Sequence, residues 1–539
     1  MENLSRRAVL GAGAAAAATW GLASCRTNNQ PSGREAAEQN ANVVLPSYVP
    51  VELIEPDLPG SEEVLPGYFA YPRDPQKAIE TPPGEGLDSI EMMYITFLPS
   101  PGSAAKNSFW GQLQEDIGTT VKLTPISSGD YGDKFQTMVA GGQLPDIMNM
   151  PSGSVPDQPQ MMEKLFADLG PMLSGDAAKE FPFLANIPSF SWRGCKANGT
   201  IQAIPQHRSK TGDVLFYRAD IFAEKGLNPE PQTWDEFIEV LEGLTDRAKG
   251  TFAFSNVGKM HNRLIKMMGG PNSWSESGGV FTSAFDDPTY RESLAMMPDL
   301  VKKYAHPDSP SATYAQFREF FYAGYTGLLD DGAAGWDLYV RSLKSADKLG
   351  MMRPPKYEGG GQAPNFAGKG YQGITVINKK LEGDKLRAAL NVLNFLAAPI
   401  GSQEHLRRKF GVEGQDWEWD GDLPSLTDAG QQSFIDLQYI VDSPLTLGPG
   451  PQGEVETQYE WHSEDSKNLI EDPTIGLYSD TSARKSGTVG REIGDVVTGI
   501  YYGRNSLEDF DKALEKWHKA GGDKIAEEYG EALATEPPD

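Results

Sequence analysis

The sequence predicts an α/β protein with more than one lobe, and three observations carry that prediction. Apolar runs typical of β-strands alternate with helical segments from about residue 90 onward, as in parallel βαβ units. The chain has 539 residues, of which 39% are hydrophobic, so it is long enough to bury a large core. It contains only two cysteines, which excludes a disulfide framework or a cysteine-rich zinc site as the source of its stability.

Charge and motifs exclude several classes of function. The chain carries 48 Lys and Arg residues against 75 Asp and Glu residues, a formal net charge of −27 at pH 7. A surface this acidic repels nucleic-acid phosphates, so we expect no nucleic-acid partner. The sequence contains no H-E-x-x-H, C-x-x-C, G-x-S-x-G or P-loop motif. We therefore expect a protein that is not an enzyme and that holds no metal or other cofactor.

The first 25 residues have the order of an export signal. Ser5-Arg6-Arg7 is a positive start, residues 8–21 are small and apolar, and Leu-Ala-Ser-Cys25 follows. The apolar run is shorter than the ~20 residues that cross a bilayer. The start resembles a twin-arginine export signal, and the end resembles a bacterial lipobox, whose cysteine becomes the lipidated first residue of the mature protein. We expect residues 1–25 to be a signal peptide and Cys25 to carry a lipid; the alternative is an ordinary cleavage site close to a cysteine.

Residues 26–87 differ in composition from the rest of the chain. They contain ten prolines, ten acidic residues and four basic residues, with no apolar periodicity. Such a composition is typical of an extended linker. A flexible coil of this length has an end-to-end distance of about 40–50 Å. We therefore predict that this segment is a Pro-rich tether that holds a globular body away from the membrane.

The first part of the globular body alternates strands with helices. Its opening apolar run, 90–99, is strand-like and is closed by a proline. In open α/β sheets the ligand lies beyond the carboxyl ends of the strands, so the loops at 97–105 and 149–156 are candidate binding loops. The elements predicted here, in order, are strand 90–99, helix 104–117, strand 120–126, helix 130–140 and strand 145–150.

Caps and glycines mark the later elements. Thr233 and Glu236 have the spacing of a capping box, in which each side chain bonds a free amide at the start of a helix. Gly521 and Gly522 are typical of a helix end. The elements predicted here, in order, are helix 233–248, strand 370–379, helix 383–397 and helix 506–522.

Five segments carry a resemblance to a known family. Segment 214–244 contains a strand-like run, then Tyr-Arg-x-Asp, Gly-Leu and Pro-x-Thr-Trp-Asp-Glu before a helix. Together with segments 141–150, 321–336, 410–420 and 507–522, it resembles the extracellular solute-binding proteins of family 1, the maltose-binding-like components of ABC importers. The last two segments resemble the long-chain lipoprotein branch of that family, and the resemblance covers roughly residues 88–535.

The resemblance implies a two-lobed periplasmic-binding-protein type II fold, with a twisted sheet flanked by helices in each lobe and the ligand in the cleft between them. Residues 88–208 and 376–445 would form lobe 1, and residues 214–370 and 460–535 would form lobe 2. The implied function is a lipid-anchored receptor on the extracellular face of the cytoplasmic membrane. It would bind a carbohydrate or oligosaccharide and deliver it to the membrane subunits of an ABC permease. We expect this receptor to be a monomer.

Candidate ligand-binding residues follow from the chemistry of sugars. A sugar presents apolar C–H faces and hydroxyl groups, so its site needs flat aromatic rings together with planar carboxylate, amide and guanidinium groups. Aromatic residues in loops or at the crossings between lobes are the stronger candidates, and polar residues at strand ends or before the first crossing join them. For each one, packing in the core or a solvated loop is the alternative. The candidates are Trp274, Trp336, Tyr371, Trp461, Asn149, His207, Arg208 and Asp330.

Two other functions remain open. An exported carbohydrate-active enzyme needs two carboxylates at hydrolytic separation, which is a three-dimensional property that the sequence does not exclude. A receptor of the same fold for a non-sugar or anionic solute is the second alternative. Since the net charge is −27, a polyanionic ligand requires a local basic patch, and Arg193 and Arg208 are the residues to inspect.

Two further features could suggest a function, but each has a simpler structural interpretation. Residues 416–422 alternate acidic residues, and Gly421 stands at the sixth position of an EF-hand-like loop. Position twelve is Thr427 instead of the Glu that completes a calcium site, so we predict a β-hairpin and keep calcium only as the alternative. Cys195 has no partner in the mature chain other than the lipidated cysteine, and we predict a buried thiol without chemistry.

Overall fold

The protein is described by a computed structural model over residues 33–98, 101–150, 155 and 157–535. The signal peptide and the lipidation candidate Cys25 lie outside these residues. Over the described ranges, no helix is long and apolar enough to span a bilayer. The two largest sheets in this part of the chain, of five and three strands, each pack on their own hydrophobic core and define two lobes.

The strands of both lobes are short. In the described part of the chain they are β1 (Ser89–Thr96), β2 (Thr120–Ser127), β3 (Ile147–Met150), β4 (Lys196–Ala197), β5 (Thr200–Ile201), β6 (Ile204–His207), β7 (Asp213–Arg218), β8 (Trp274–Ser277), β9 (Val280–Ser283), β10 (Leu328–Gly332), β11 (Leu349–Met352), β12 (Asn365–Phe366), β13 (Tyr371–Ile377), β14 (Trp417–Asp420), β15 (Leu423–Leu426) and β16 (Leu469–Ile470).

Helices cover the sheets and form most of the C-terminal third. They are α1 (Gly33–Ala41), α2 (Ser108–Ile117), α3 (Tyr131–Gly141), α4 (Gln158–Leu165), α5 (Gly170–Leu173), α6 (Pro182–Ala185), α7 (Ser189–Trp192), α8 (Ala219–Lys225), α9 (Trp234–Leu244), α10 (Val257–Met267), α11 (Pro288–Tyr304), α12 (Tyr314–Tyr322), α13 (Trp336–Leu343), α14 (Gly383–Leu396), α15 (Gln403–Phe410), α16 (Asp428–Ser433), α17 (Gln452–Asp465), α18 (Asp480–Val489), α19 (Arg491–Tyr501), α20 (Leu507–Trp517) and α21 (Asp523–Leu533).

Lobe 1 is built on a five-stranded sheet with the order β2-β1-β3-β13-β6. β1 is parallel to β2 and β3, whereas β13 is antiparallel to β3 and β6. The carboxyl ends of β1, β2, β3 and β6 therefore lie at one edge, where the amino end of β13 also begins. Side chains that follow these strands emerge together at that edge, which faces lobe 2.

Lobe 2 contains a three-stranded sheet with the order β10-β7-β11, in which both outer strands are antiparallel to β7. Its core contains the buried faces of α9, α10, α11, α19 and α20. The chain passes between the lobes at 208–213 and 367–371. These two crossings are joined directly, because the Gly368 amide donates to the Lys210 carbonyl at 2.7 Å and the Arg208 amide donates to the Gly370 carbonyl at 2.9 Å.

Residues 33–87 differ from the predicted tether because they are packed against the body. Gly67 pairs in parallel with Leu447, and Gln76 pairs with Ser402. Tyr71 is only 2% exposed and lies in a cluster with Trp417. Some backbone amides of the segment find carbonyl partners in the body, since Tyr68 donates to Leu447 and Gln76 donates to Gly401, each at 2.9 Å. The prediction of an extended tether is thus corrected for residues 33–87.

The helix caps agree with the sequence in part. Thr233 begins α9, and its hydroxyl accepts a hydrogen bond from the Glu236 amide at 3.2 Å. The Glu236 carboxylate accepts from the amide of Gln232 at 2.6 Å instead of that of Thr233, so one arm of the box is shifted by a residue. Gly521, with φ of 153°, separates α20 and α21 after a π-helical turn over His518–Gly522.

Two smaller predictions concern local features. β14 and β15 form an antiparallel hairpin, as predicted for residues 416–422. Among the residues that the structure describes, no group of three or more His, Cys, Asp and Glu side chains is arranged to hold a metal ion. Cys195 is buried, as predicted, and burial raises the pKa of its thiol well above the usual range.

Candidate ligand site between the lobes

The wall of the cleft on lobe 1 is formed by residues that follow its parallel strands. Phe97 comes directly after β1, and its ring centroid lies 5.1 Å from that of Tyr439 with the planes at 49°. Arg208 follows β6, and its guanidinium carbon lies 5.7 Å from the Tyr439 ring centroid. These three side chains form a cluster of two aromatic rings with a cation over the ring of Tyr439.

The segment that carries Tyr439 is fixed to the sheet from below. The Asn149 amide donates to the carbonyl of Tyr439, and the Thr375 hydroxyl donates to the carbonyl of Ile440. Burial raises the pKa of the Tyr439 phenol, so its hydroxyl stays protonated at neutral pH. The ring is therefore held in place with a hydroxyl that can both donate and accept.

The wall on lobe 2 is organised around Asp331, near the end of β10. Its carboxylate accepts five hydrogen bonds, two from Arg318, one from the Gly332 amide and one each from the hydroxyls of Tyr314 and Tyr339. The Arg318–Asp331 ion pair has an N–O distance of 2.9 Å, and its side chains are 14% and 12% exposed. A carboxylate with this many donors has no remaining capacity to act on a ligand. Asp331 instead orients the groups around it.

The two walls approach each other at two places. The guanidinium carbon of Arg318 lies 5.6 Å from the ring centroid of Phe97, and that of Arg341 on α13 lies 5.8 Å from the ring centroid of Phe434. Both are contacts between a cation on lobe 2 and an aromatic ring on lobe 1. A ligand held between the walls would therefore contact both lobes.

Buried charges lie behind the wall of lobe 1. Asp442 accepts from Arg408 at 2.5 Å and from Lys409 at 2.9 Å, and these cations hold its pKa below the usual range although burial opposes ionisation. Burial raises the pKa of Asp436, which accepts a hydrogen bond from the Gln438 side chain at 2.7 Å. The ion pairs of Asp442 anchor the chain shortly after Tyr439, and the hydrogen bond between Gln438 and Asp436 constrains it shortly before.

Several polar residues predicted to bind ligand have partners inside the fold. His207 is 2% exposed, and its Nδ1 lies 2.9 Å from the hydroxyl of Ser191, which donates to the Gly370 carbonyl. Burial lowers the pKa of His207 to about 3, so the ring is neutral at pH 7. Asn149 is buried and bridges strands of the sheet, accepting from the amide of Ile95 at 2.9 Å.

Asp330 directly precedes Asp331, the carboxylate that organises the lobe 2 wall. Its side chain is buried in lobe 2, where Arg263 donates to it at 2.7 Å. Successive side chains along a strand point to opposite faces, so Asp331 is on the cleft side when Asp330 is on the core side. The sequence pointed to this strand end, and the structure places Asp330 on its core face and Asp331 on its cleft face.

The four predicted aromatic residues lie in different environments. Trp336 and Trp461 are buried in one cluster of lobe 2. Trp274, on β8, packs 5.4 Å from the ring of Tyr529 and lines a cavity of about 360 Å³ within lobe 2. Tyr371 is half-buried at the second crossing, where a side chain at Gly194 would collide with its ring. None of the four joins the cleft cluster described above.

Arg208 is thus the predicted residue that the structure brings to the cleft, while Arg193 is exposed and lies beside Gly476. Phe97 falls within the candidate loop 97–105, so strand-end reasoning could locate it. The other cleft residues come from α12, α13, β10 and the 434–439 segment, and no local pattern distinguishes them. They are Tyr314, Arg318, Asp331, Arg341, Phe434 and Tyr439.

Comparison with known families agrees with this architecture. The family model described as bacterial extracellular solute-binding protein matches residues 98–401. A curated relative, the polygalacturonan/rhamnogalacturonan-binding protein YtcQ of Bacillus subtilis, is 24% identical over 457 residues, which cover 78% of this chain and 87% of that protein. Lipoprotein LipO of the same organism is 22% identical over 470 residues, covering 81% and 91% of the two chains.

Solved structures share the fold at low sequence identity. The alginate-binding protein AlgQ2 without calcium ion superposes with a TM-score of 0.64 at 14% identity, covering 85% of this chain and all of that one. The N-glycan transport solute-binding protein NgtS of Streptococcus pneumoniae superposes with a TM-score of 0.60 at 16% identity, covering 83% and 99%. The two lobes therefore form a periplasmic-binding-protein type II fold, as the sequence predicts.

Proposed function

Since the chain belongs to the family of bacterial extracellular solute-binding proteins, we propose that it is the receptor of an ABC importer and binds an oligosaccharide between its lobes. The observation that carries this proposal is the pairing of the two walls. Phe97 and Tyr439 on lobe 1 provide aromatic faces for the C–H side of a sugar ring, and Arg318 on lobe 2 lies opposite. The names of the relatives, which refer to polygalacturonan, alginate and N-glycans, support a carbohydrate ligand.

The mechanism is closure of one lobe on the other. A ligand that contacts both walls binds the closed arrangement more tightly than an open one, and it therefore shifts the population toward closure. The joined crossings at 208–213 and 367–371 act as the hinge, and the ligand needs to break no covalent bond. The permease subunits then recognise the closed surface.

Location follows from the N-terminal segment. We propose that Cys25 carries the lipid and holds a monomer at the extracellular face of the cytoplasmic membrane. If so, the seven residues 26–32 connect the lipidated cysteine to α1, which begins at Gly33. Seven residues extend over at most about 25 Å, so the body is held close to the bilayer.

We further propose that the cleft binds without catalysis. General acid catalysis by a carboxylic acid requires a carboxyl group that can exchange a proton with the substrate. Asp331, the carboxylate at the centre of the lobe 2 wall, is saturated by five donors. The walls thus supply recognition groups instead of an acid and base pair.

The test combines thermal shift and product analysis on the purified protein with a panel of neutral and acidic oligosaccharides. We expect at least one member to raise Tm and to release no reducing ends. Phe97→Ala and Tyr439→Ala should each reduce the shift, because a stacking face is lost. Tyr325→Ala, at an aromatic residue that is 50% exposed on lobe 2, is the matched control. Released reducing ends would support the enzyme alternative, and a panel without any shift would contradict the proposal.

A further inference from the structure

The cations of the cleft differ in what they are paired with. Arg318 is paired with Asp331, and Lys409 is paired with Asp442. Arg341 is exposed and donates to the carbonyl of Asp337 in its own helix at 3.3 Å. The charge of each paired cation is already balanced within the protein, so it adds little attraction for an anion.

Arg208 forms no ion pair with a carboxylate anywhere in the described part of the chain. Its guanidinium donates to the carbonyl of His207 at 2.7 Å and to the side-chain oxygen of Gln438 at 3.3 Å. Guanidinium has five N–H donors, so donors remain for another acceptor. The side chain is half-buried between β6 and the Tyr439 ring, which removes part of its hydration.

A half-buried cation beside an aromatic face is suited to one kind of group. Guanidinium is planar and binds a carboxylate through two parallel hydrogen bonds, and the pair strengthens where water is excluded. A uronate sugar carries its carboxylate on the edge of a pyranose ring whose face is apolar. The Arg208 guanidinium carbon lies over the Tyr439 ring at 5.7 Å from its centroid, and the Phe97 ring lies 5.1 Å from that of Tyr439. A pyranose ring that packs on Phe97 therefore has Arg208 near its edge.

We propose that the ligand of this cleft is an acidic oligosaccharide, and that Arg208 pairs with the carboxylate of a uronate residue. This inference rests on the proposed function and specifies its substrate class. The net charge of −27 repels a polyanion at long range, so recognition depends on a local positive group such as this one. A neutral sugar would leave Arg208 without a directly paired carboxylate in a partly dehydrated site, where the Asp436 carboxylate acts on its charge only from a distance.

The experiment measures affinity by calorimetry for three matched pairs of trimers. The pairs are galacturonate with galactose, mannuronate with mannose, and glucuronate with glucose, each pair with the same linkage. We expect an acidic trimer to bind at least ten-fold more tightly than its neutral match. Arg208→Gln should weaken the acidic trimer by about 10- to 100-fold and change a neutral trimer less than two-fold. Arg208→Lys should be intermediate because it loses the planar pair.

A matched control variant separates the effect of losing one positive charge from the effect of losing the contact between Arg208 and the ligand. Arg387→Gln removes a guanidinium from lobe 1 that pairs with Glu180 on the outer surface, and it should leave all affinities unchanged. High salt should weaken only the acidic trimers. Neutral trimers that bind as tightly as their acidic matches would overturn the inference while leaving the proposed function intact. It would also be overturned if Arg208→Gln weakened the acidic and the neutral trimer of a pair equally. If none of the six trimers binds, the inference is contradicted, whether or not another oligosaccharide of the wider panel raises Tm.

Discussion

The guanidinium of Arg318 in lobe 2 lies 5.6 Å from the ring centroid of Phe97 in lobe 1, so one side chain serves both the stability of its own lobe and the contact with the other. On its own side it is paired with Asp331 at 2.9 Å. This double role makes the Arg318–Asp331 pair the most informative place at which to perturb the cleft.

Asp331→Asn should destabilise the protein and weaken ligand binding. The change removes the charge that balances Arg318 and one of the acceptors for two tyrosine hydroxyls. Breaking a largely buried pair by changing one partner costs about 3–5 kcal/mol. Urea unfolding followed by tryptophan fluorescence measures it, with Asp246→Asn, at a more exposed pair in lobe 2, as the control. An unchanged midpoint would show that the carboxylate does not organise this wall.

Tyr71→Ala tests whether the N-terminal segment is part of the folded body. Tyr71 is 2% exposed, and its hydroxyl lies 3.0 Å from Nδ1 of His405. Truncating a buried aromatic side chain costs about 3–5 kcal/mol, and the loss should appear in the free energy of unfolding. Tyr48→Ala, at a residue 48% exposed in the same segment, should change stability by less than about 0.5 kcal/mol. A free tether would make the two variants alike.

Stability should fall as the pH is lowered from 6.5 toward 4, in part through His207. Burial lowers its pKa to about 3, so the unfolded chain binds a proton in this range that the folded chain does not. The contribution of His207 is complete above pH 6.5 and decreases by about 1.4 kcal/mol per pH unit below it. His207→Gln should therefore flatten the pH dependence of the free energy of unfolding. Parallel curves for the two proteins would contradict this assignment.

Gly370→Ala should be strongly destabilising because two effects combine at the second crossing. Gly370 has φ of 82°, and a Cβ there would come within 2.4 Å of the Phe190 ring. Gly359 has φ of 77°, and a Cβ would meet nothing within 4 Å, so Gly359→Ala isolates the backbone strain. We expect about 1 kcal/mol for Gly359→Ala and at least about 2 kcal/mol more for Gly370→Ala. Equal losses, measured by denaturant unfolding, would mean that the hinge tolerates the added methyl group.

Local structure could be predicted where neighbouring residues decide it. β1 and α14 lie within a few residues of their predicted bounds, and Thr233 caps α9 as its spacing indicates. These features depend on alternation, caps and turns that act over a few residues. The family resemblance added the two-lobed architecture, because its motifs extend over most of the chain.

The placements that local patterns did not indicate have a common physical cause, which is that contacts between distant residues are absent from those patterns. Trp336 and Trp461 are 125 positions apart and pack in the same buried cluster. The residues next to either tryptophan in the sequence do not indicate this. Residues 33–87 have the composition of a linker because their hydrogen-bonding partners lie elsewhere, for example at Leu447 and Ser402. The composition of a segment indicates which structures it can form by itself. It does not indicate which surface of the folded body the segment packs against.

Residue order alone was sufficient for the α/β class, several of the strands and helices and the family resemblance, and it placed Arg208 among the candidate residues. These properties depend on short-range periodicity and on motifs whose residues are contiguous in the sequence. The tertiary structure decided which carboxylate faces the cleft, which aromatic rings form its wall and that the guanidinium over the Tyr439 ring has no ion pair among the described residues. Each of these depends on distances between strands, helices and loops that come together only when the two lobes fold, so they could be read only from the folded chain.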